Sequence, residues 1–197
     1  MADTRGAVMA VTPRTERVEQ RLRERFPQVA FRRQQGEAVR DHTLYVPAEH
    51  LREVAMFLRD DPELEFAMLV SITGVDYLPR EPRFEVVYHL LSITHSLRFV
   101  LKVQLHEERP EVDSVVDVWL TANWHEREAY DFYGIKFLGH PDLRRILLPD
   151  DWVGWPLRKD SPLGYQEVSF THNTPNRTVP DPDLKKLGPK KVKYRAH

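Results

Sequence analysis

The chain contains no cysteine. Structural disulfides, thiolate metal sites, cysteine-ligated iron–sulfur clusters and cysteine nucleophiles are therefore excluded for this polypeptide. Glycine is scarce, eight among 197 residues. Neither G-x-G-x-x-G nor G-x-x-x-x-G-K-[ST] nor G-x-S-x-G occurs, so the sequence shows no phosphate-cradling loop and no nucleophile elbow. Long hydrophobic runs are also missing. The longest stretch free of Asp, Glu, Lys and Arg covers residues 86–97 and includes His89 and His95. A membrane-spanning helix needs roughly 20 largely apolar residues. Near the start, only residues 7–11 are apolar, too short a stretch for a secretory signal. An excess of one charge is absent as well: 29 basic side chains face 30 acidic ones. That balance argues against a surface built throughout for nucleic acid or an anionic membrane.

What is present is periodicity, then its loss. Val18, Leu22 and Phe26 recur every fourth residue after Thr12-Pro13 and predict a first helix, ended by Pro27. Residues 29–33 and 43–46 read as short strands around a Gln34-Gln35-Gly36 turn. Leu51, Val54, Ala55 and Leu58 give the apolar face of a second helix that starts at Pro47-Ala48-Glu49 and stops at Asp60-Asp61-Pro62. Residues 66–73 (ending at Gly74), 84–93 and 97–105 read as strands. In the last, Leu97, Phe99, Leu101, Val103 and Leu105 alternate with Arg98, Val100, Lys102 and Gln104, the pattern of a strand wet on one face. The short Thr94-His95-Ser96 link predicts a hairpin. The expected fold is α+β, a small mainly antiparallel or mixed sheet with helices on one face. Ser114 with Asp117, then Asn123 with Glu126, read as two successive helix N-caps, with Gly134 as the closing C-cap.

After His140 the periodicity fades, and eight of the fifteen prolines fall in the last 58 residues. Residues 1–140 thus read as the folded domain, with 1–11 loose. Residues 141–197 read as an extended Pro-rich segment ending in a basic tail, with seven basic and two acidic side chains in 176–197. Within this outline several chemistries compete. His125, Glu128 and Asp131, spaced by three, fall near one helix face, and an imidazole with two carboxylates suits zinc, iron or manganese. The same groups can instead pair with Arg127, Arg144, Arg145 or Arg158, and so many arginines favour that network. His140 before Pro141 is either a general base or a hydrogen-bonded structural residue. The aromatics Trp119, Trp124, Tyr130, Phe132, Tyr133, Phe137, Trp152 and Trp155 stack a flat ligand, or else form core and protein–protein anchors. The tail lysines bind nucleic acid, or form a solvated tail that docks on an acidic partner.

Residues 123–160 narrow the choice. Glu126-Arg127-Glu128, Asp131 with its following aromatic pair, Gly134-Ile135, Gly139-His140-Pro141, Leu143-Arg144-Arg145 and Pro156-Leu157-Arg158-Lys159-Asp160 stand there in one ordered series. Upstream lie Thr73-Gly74-Val75-Asp76-Tyr77, Arg83-Phe84, Val87-Tyr88 and Ser114. This series resembles the 30-kDa subunit family of proton-pumping NADH–quinone oxidoreductase, respiratory complex I, over roughly residues 65–162. Ser161 departs from the pattern, where relatives place an aromatic before the proline. The resemblance implies a peripheral-arm subunit, on the cytoplasmic side of the bacterial membrane, that is structural and not catalytic. It implies that FMN and the iron–sulfur clusters lie in partner subunits and none in this chain. It also implies that the chain packs beside the subunit homologous to the large chain of nickel–iron hydrogenases and near cluster-bearing neighbours, electrons passing from NADH to quinone through those partners. On this view Glu126, Arg127, Glu128, Asp131, His140, Arg144, Arg145, Arg158, Lys159 and Asp160 are interface and structural residues. Glu126, Arg127, Asp131 and Arg144 or Arg145 are expected to lock the helix to the following loop, the Pro-rich stretch lying against the hydrogenase-large-chain-like partner. The rival readings are a related subunit of a membrane-bound hydrogenase complex and a stand-alone metal-dependent enzyme using His125, Glu128 and Asp131.

Overall fold

The computed structural model of the chain describes residues 13–34 and 41–161. Helix α1 (Pro13–Arg25) buries Val18 and Leu22, with Phe26 just beyond its end. Strands β1 (Arg32–Arg33) and β2 (Thr43–Tyr45) pair antiparallel. A 3-10 turn at Ala48–His50 leads into helix α2 (Leu51–Asp60), which buries Leu51, Val54, Ala55 and Leu58. Strands β3 (Met68–Asp76), β4 (Phe84–Ser92) and β5 (Leu97–Leu105) then form an antiparallel meander. Strand β6 (Glu111–Asp113), helix α3 (Ala122–Tyr133) and strand β7 (Lys136–Leu138) complete the described elements.

The main sheet has the order β1-β2-β5-β4-β3 and is mixed, because β2 runs parallel to β5. Register fixes its two faces. Phe84 faces Leu105, Val86 faces Val103, Tyr88 faces Leu101 and Leu90 faces Phe99. All eight are buried in the same apolar cluster as Val18, Leu22, Leu51, Leu58, Ala122 and Ala129, so the three helices share one face of the sheet. The opposite face carries Glu85, a buried carboxylate that accepts hydrogen bonds from Gln104 Nε2 at 2.9 Å and Lys102 Nζ at 3.3 Å.

The α+β class, the hairpin and the amphipathic helices agree with the sequence reading. Four local expectations do not. Only Arg32–Arg33 of the first strand forms, because Val29 and Phe31 reach the core from a turn in which Val29 N–H bonds the Phe26 carbonyl. The third strand runs through Gly74 to Asp76, and the glycine is there for closeness: a Cβ would lie 2.7 Å from the Tyr133 ring. Val100, expected on a wet face, is buried because the parallel strand β2 sets Thr43 beside it. Ser114 opens no helix, and α3 begins at Ala122 with Thr121 at the N-cap and no side-chain cap bond. The parallel ladder of β6 with β7 has no counterpart in the periodicity, since three residues carry too little pattern. Residues 1–12, 35–40 and 162–197, hence the lead-in, the Gln35-Gly36 turn and the basic tail, lie outside the described residues.

Candidate functional site

Helix α3 and the chain that follows it gather most of the charged residues singled out in the sequence. Gly134 ends the helix at φ +72°, a left-handed conformation that glycine adopts without strain. A Cβ there would also lie 2.5 Å from the Trp155 indole. The chain can therefore turn back sharply and lay residues 141–161 along the helix.

Asp131 is the centre of this return. Its Oδ2 accepts the backbone N–H groups of Ile146, Leu147 and Leu148 at 3.1, 2.8 and 3.0 Å. Its Oδ1 accepts from Arg145 Nη1 at 2.8 Å. Burial works against the charge, but the bonds from Leu148, Arg145, Leu147 and Ile146 outweigh it and hold the carboxyl below its ordinary value. Arg145 also donates to the carbonyls of Trp152 and Gly154 and stacks over the Trp155 ring. Arg127 donates to the carbonyls of Arg144 and Arg145 and covers Trp124. A guanidinium serves here because its planar fork reaches several carbonyls at once without losing its charge.

A second clamp holds the end of the segment. Arg83, just before β4, is 1% exposed and binds Asp76 through Nε at 3.0 Å and Nη2 at 2.8 Å. The same Nη2 donates to Asp160 Oδ1 at 2.7 Å, and Lys159 N–H donates to Asp76 Oδ2 at 2.9 Å. Burial again opposes the charge on Asp76, yet Arg83 and the amides of Leu78 and Lys159 bring its pKa down to about 2. Arg158 Nε donates to the Tyr133 carbonyl at 2.7 Å, and its guanidinium lies over Phe84 and Trp155.

The expected lock is thus made by Arg127, Asp131 and Arg145. Glu126 is not part of it. This fully buried side chain faces the other way, accepting from Ser114 Oγ at 2.6 Å and Val115 N–H at 2.8 Å. Burial pushes its carboxyl up to about 7 against the pull of those two bonds, with Asp117 adding to the rise. Arg144 is exposed and pairs with Asp142, and Glu128 is exposed. His140 uses both ring nitrogens, Nδ1 accepting the Asp142 N–H and Nε2 facing the Asn123 carbonyl, so it acts as a strut. The His125–Glu128–Asp131 set does not assemble, because Asp131 spends both oxygens on Arg145 and the loop amides. Among the described residues no group of three His, Asp or Glu is placed to hold a metal ion. Trp119 is buried with its indole N–H on the Phe66 carbonyl, and Trp155 packs edge-on against Tyr130, so these aromatics are core and loop anchors. Asp76 and Arg83 entered the sequence reading only as part of a resemblance. Their signal as a pair was a carboxylate and a guanidinium closing a Pro79- and Pro82-containing loop between two strands.

The clamped segment also turns apolar side chains outward: Leu147, Val153 and Leu157 are each at least half exposed. Trp124 on α3 is exposed too.

Residues 44–167 match the family model described as respiratory-chain NADH dehydrogenase, 30-kDa subunit. The C-type subunit of NADH-quinone oxidoreductase from Roseiflexus sp. (strain RS-1) is 58% identical over 133 residues, 68% of this chain and 76% of that protein. The C-type subunit from Herpetosiphon aurantiacus is 47% identical over 156 residues, covering 79% of this chain and 89% of the relative. Among solved structures, the trypsin-resistant fragment of Nqo5 superposes with a TM-score of 0.56 at 34% identity, over 66% of this chain and 99% of the fragment. A chain of the archaeal membrane-bound sulfane sulfur reductase shares the fold, with a TM-score of 0.60 at 23% identity over 75% of this chain and 85% of that one. The order of motifs, the α+β fold and these relatives agree: the chain belongs to the 30-kDa subunit family of respiratory-chain NADH dehydrogenase.

Proposed function

We propose that the chain is a structural and assembly subunit in the peripheral arm of a proton-translocating NADH–quinone oxidoreductase, with no active site of its own. In this reading FMN and the iron–sulfur clusters reside in partner subunits. The chain sits on the cytoplasmic side of the membrane and associates with it through those partners. No helix among the described residues is long and apolar enough to cross a bilayer, which is compatible with indirect attachment. The observation that carries the proposal is the clamped segment. Asp131, Arg145, Arg83 and Asp76 are consumed in internal bonds, and the segment they fix turns Leu147, Val153 and Leu157 outward among exposed charged side chains such as Asp142, Arg144 and Lys159. Exposed apolar side chains with a polar surround bury well against another protein, and a partner of the hydrogenase-large-chain type is the proposed occupant. The Pro-rich, basic continuation beyond residue 161 would extend the same contact.

The test is affinity purification of the tagged chain from detergent-solubilised membranes. Co-purification of flavin- and cluster-bearing subunits with NADH–quinone reductase activity is the expected result. Isolation as a lone protein, with no such partners, would refute the proposal.

A further inference from the structure

Glu126 is placed to do something the assembly role does not require. It is fully buried on α3, and its two oxygens fasten the β6–α3 connection, residues 114–121, through the Ser114 hydroxyl and the Val115 amide. Unlike Asp131 and Asp76 it has no cation partner among the described residues. Arg52 is taken by Asp117, Arg127 by the carbonyls of Arg144 and Arg145, and Lys136 by Glu111. The groups that face it are acidic or neutral. Tyr88 on β4 carries a buried hydroxyl with no hydrogen-bond partner and feels the charges of both Glu126 and Asp113 on β6, and Asp117 of the connection adds a further negative charge. His140, from beyond β7, bonds the Asn123 carbonyl one turn earlier on α3. The connection it fastens lines an open groove of about 600 Å³, together with Leu138 and Pro141 from beyond α3 and Arg52 from α2.

We propose that Glu126 is a proton-binding site, and that release of its proton loosens the 114–121 connection and the groove that this connection lines. A buried carboxylate with no cation partner, and with the Asp117 charge adding to its cost, is unfavourable to keep charged away from water. Opening the connection hydrates the carboxylate and relieves that cost, so proton loss and opening are linked. The sign follows from the two states. The closed form binds the proton more tightly (about 7) than the open form, whose carboxyl has its ordinary value of 4.5. Closure is therefore firmest below about 4.5, weakens as the pH rises, and becomes pH-independent again above about 7.

Native-state hydrogen exchange on the full chain tests this at the Val115 and Val116 amides, after correction for the intrinsic pH dependence of exchange. The opening constant is expected to rise on the order of tenfold per pH unit between pH 5 and 7 and then level off. In Glu126→Gln the same amides should show a flat profile. A flat profile in the unsubstituted chain, or an unchanged slope in Glu126→Gln, would overturn the proposal. Should the glutamine variant not fold, carboxyl-carbon NMR of the unsubstituted chain decides: a Glu126 midpoint near 7 supports it, and one near 4.5 rejects it.

Discussion

The α1–α2 layer and the segment after β7 are fixed to the same body by different forces. Helix α2 is held by Leu51, Val54, Ala55 and Leu58, all buried against the sheet. These contacts are non-directional and scale with the apolar area removed from water. Residues 141–161 contribute only Leu143 to the packing around that core. They are held by carboxylates and guanidiniums aimed at backbone groups, which are directional and fail abruptly when one partner is lost. The first arrangement makes a stable domain, whereas the second fixes the shape of a surface. A family whose members serve inside a large assembly has use for both.

The largest expected effect comes from breaking the second arrangement at its centre. Asp131→Ala leaves three loop amides without their acceptor and the largely buried Arg145 guanidinium without its carboxylate partner, and should cost about 3–5 kcal/mol. Urea denaturation measures the total. The comparison is sharpened by hydrogen exchange, which should show the amides of residues 146–148 losing protection while β4 and β5 keep theirs. Equal loss throughout would mean that the segment and the sheet are one cooperative unit.

Next comes the second clamp, read through pH. Asp76 has a folded-state pKa of about 2 against an ordinary 3.8. Its stabilisation is therefore complete above about 4 and is lost as the pH falls from 4 to 2, by about 2 kcal/mol. Thermal unfolding between pH 2 and 5 should include this contribution, and Asp76→Asn should reduce the acid sensitivity by that amount, the part due to Asp131 remaining. The smallest effect belongs to a solvated pair. Arg52 and Asp117 are hydrogen-bonded, but each side chain is about half exposed, so Arg52→Ala should leave the urea midpoint almost unchanged. A clear fall in that midpoint would mean that this link between α2 and the 114–121 connection carries more than surface charge.

The same division explains what could be read from the sequence. Alternation in β5 and the four-residue spacing of Val18, Leu22 and Phe26 are one-dimensional images of burial, and they placed the sheet and the first two helices. Asp131, Arg127 and Arg145 were identifiable as a lock because a helix end and the loop after it are close along the chain. Their partners were not, since backbone amides at Ile146, Leu147 and Leu148 and carbonyls at Trp152 and Gly154 look alike in every sequence. Ser114 and Glu126 show the converse. The cap patterns assigned each a partner three residues away, whereas they bond each other across twelve residues, a contact created only when α3 packs beside β6. Arg83 and Asp76 bond across the connection between β3 and β4, where no helical or strand period applies, and their pairing with Asp160 depends on the return of the chain.

The central claim is that the clamped segment holds exposed apolar side chains in place for a partner subunit. The most direct measurement replaces Leu147, Val153 and Leu157 together by serine in the chromosomal copy, then compares the melting of the purified chain with the amount of assembled NADH–quinone oxidoreductase in membranes. The account predicts a melting temperature within a few degrees of the unsubstituted chain and a severe loss of assembled complex. Normal assembly in that variant would contradict it.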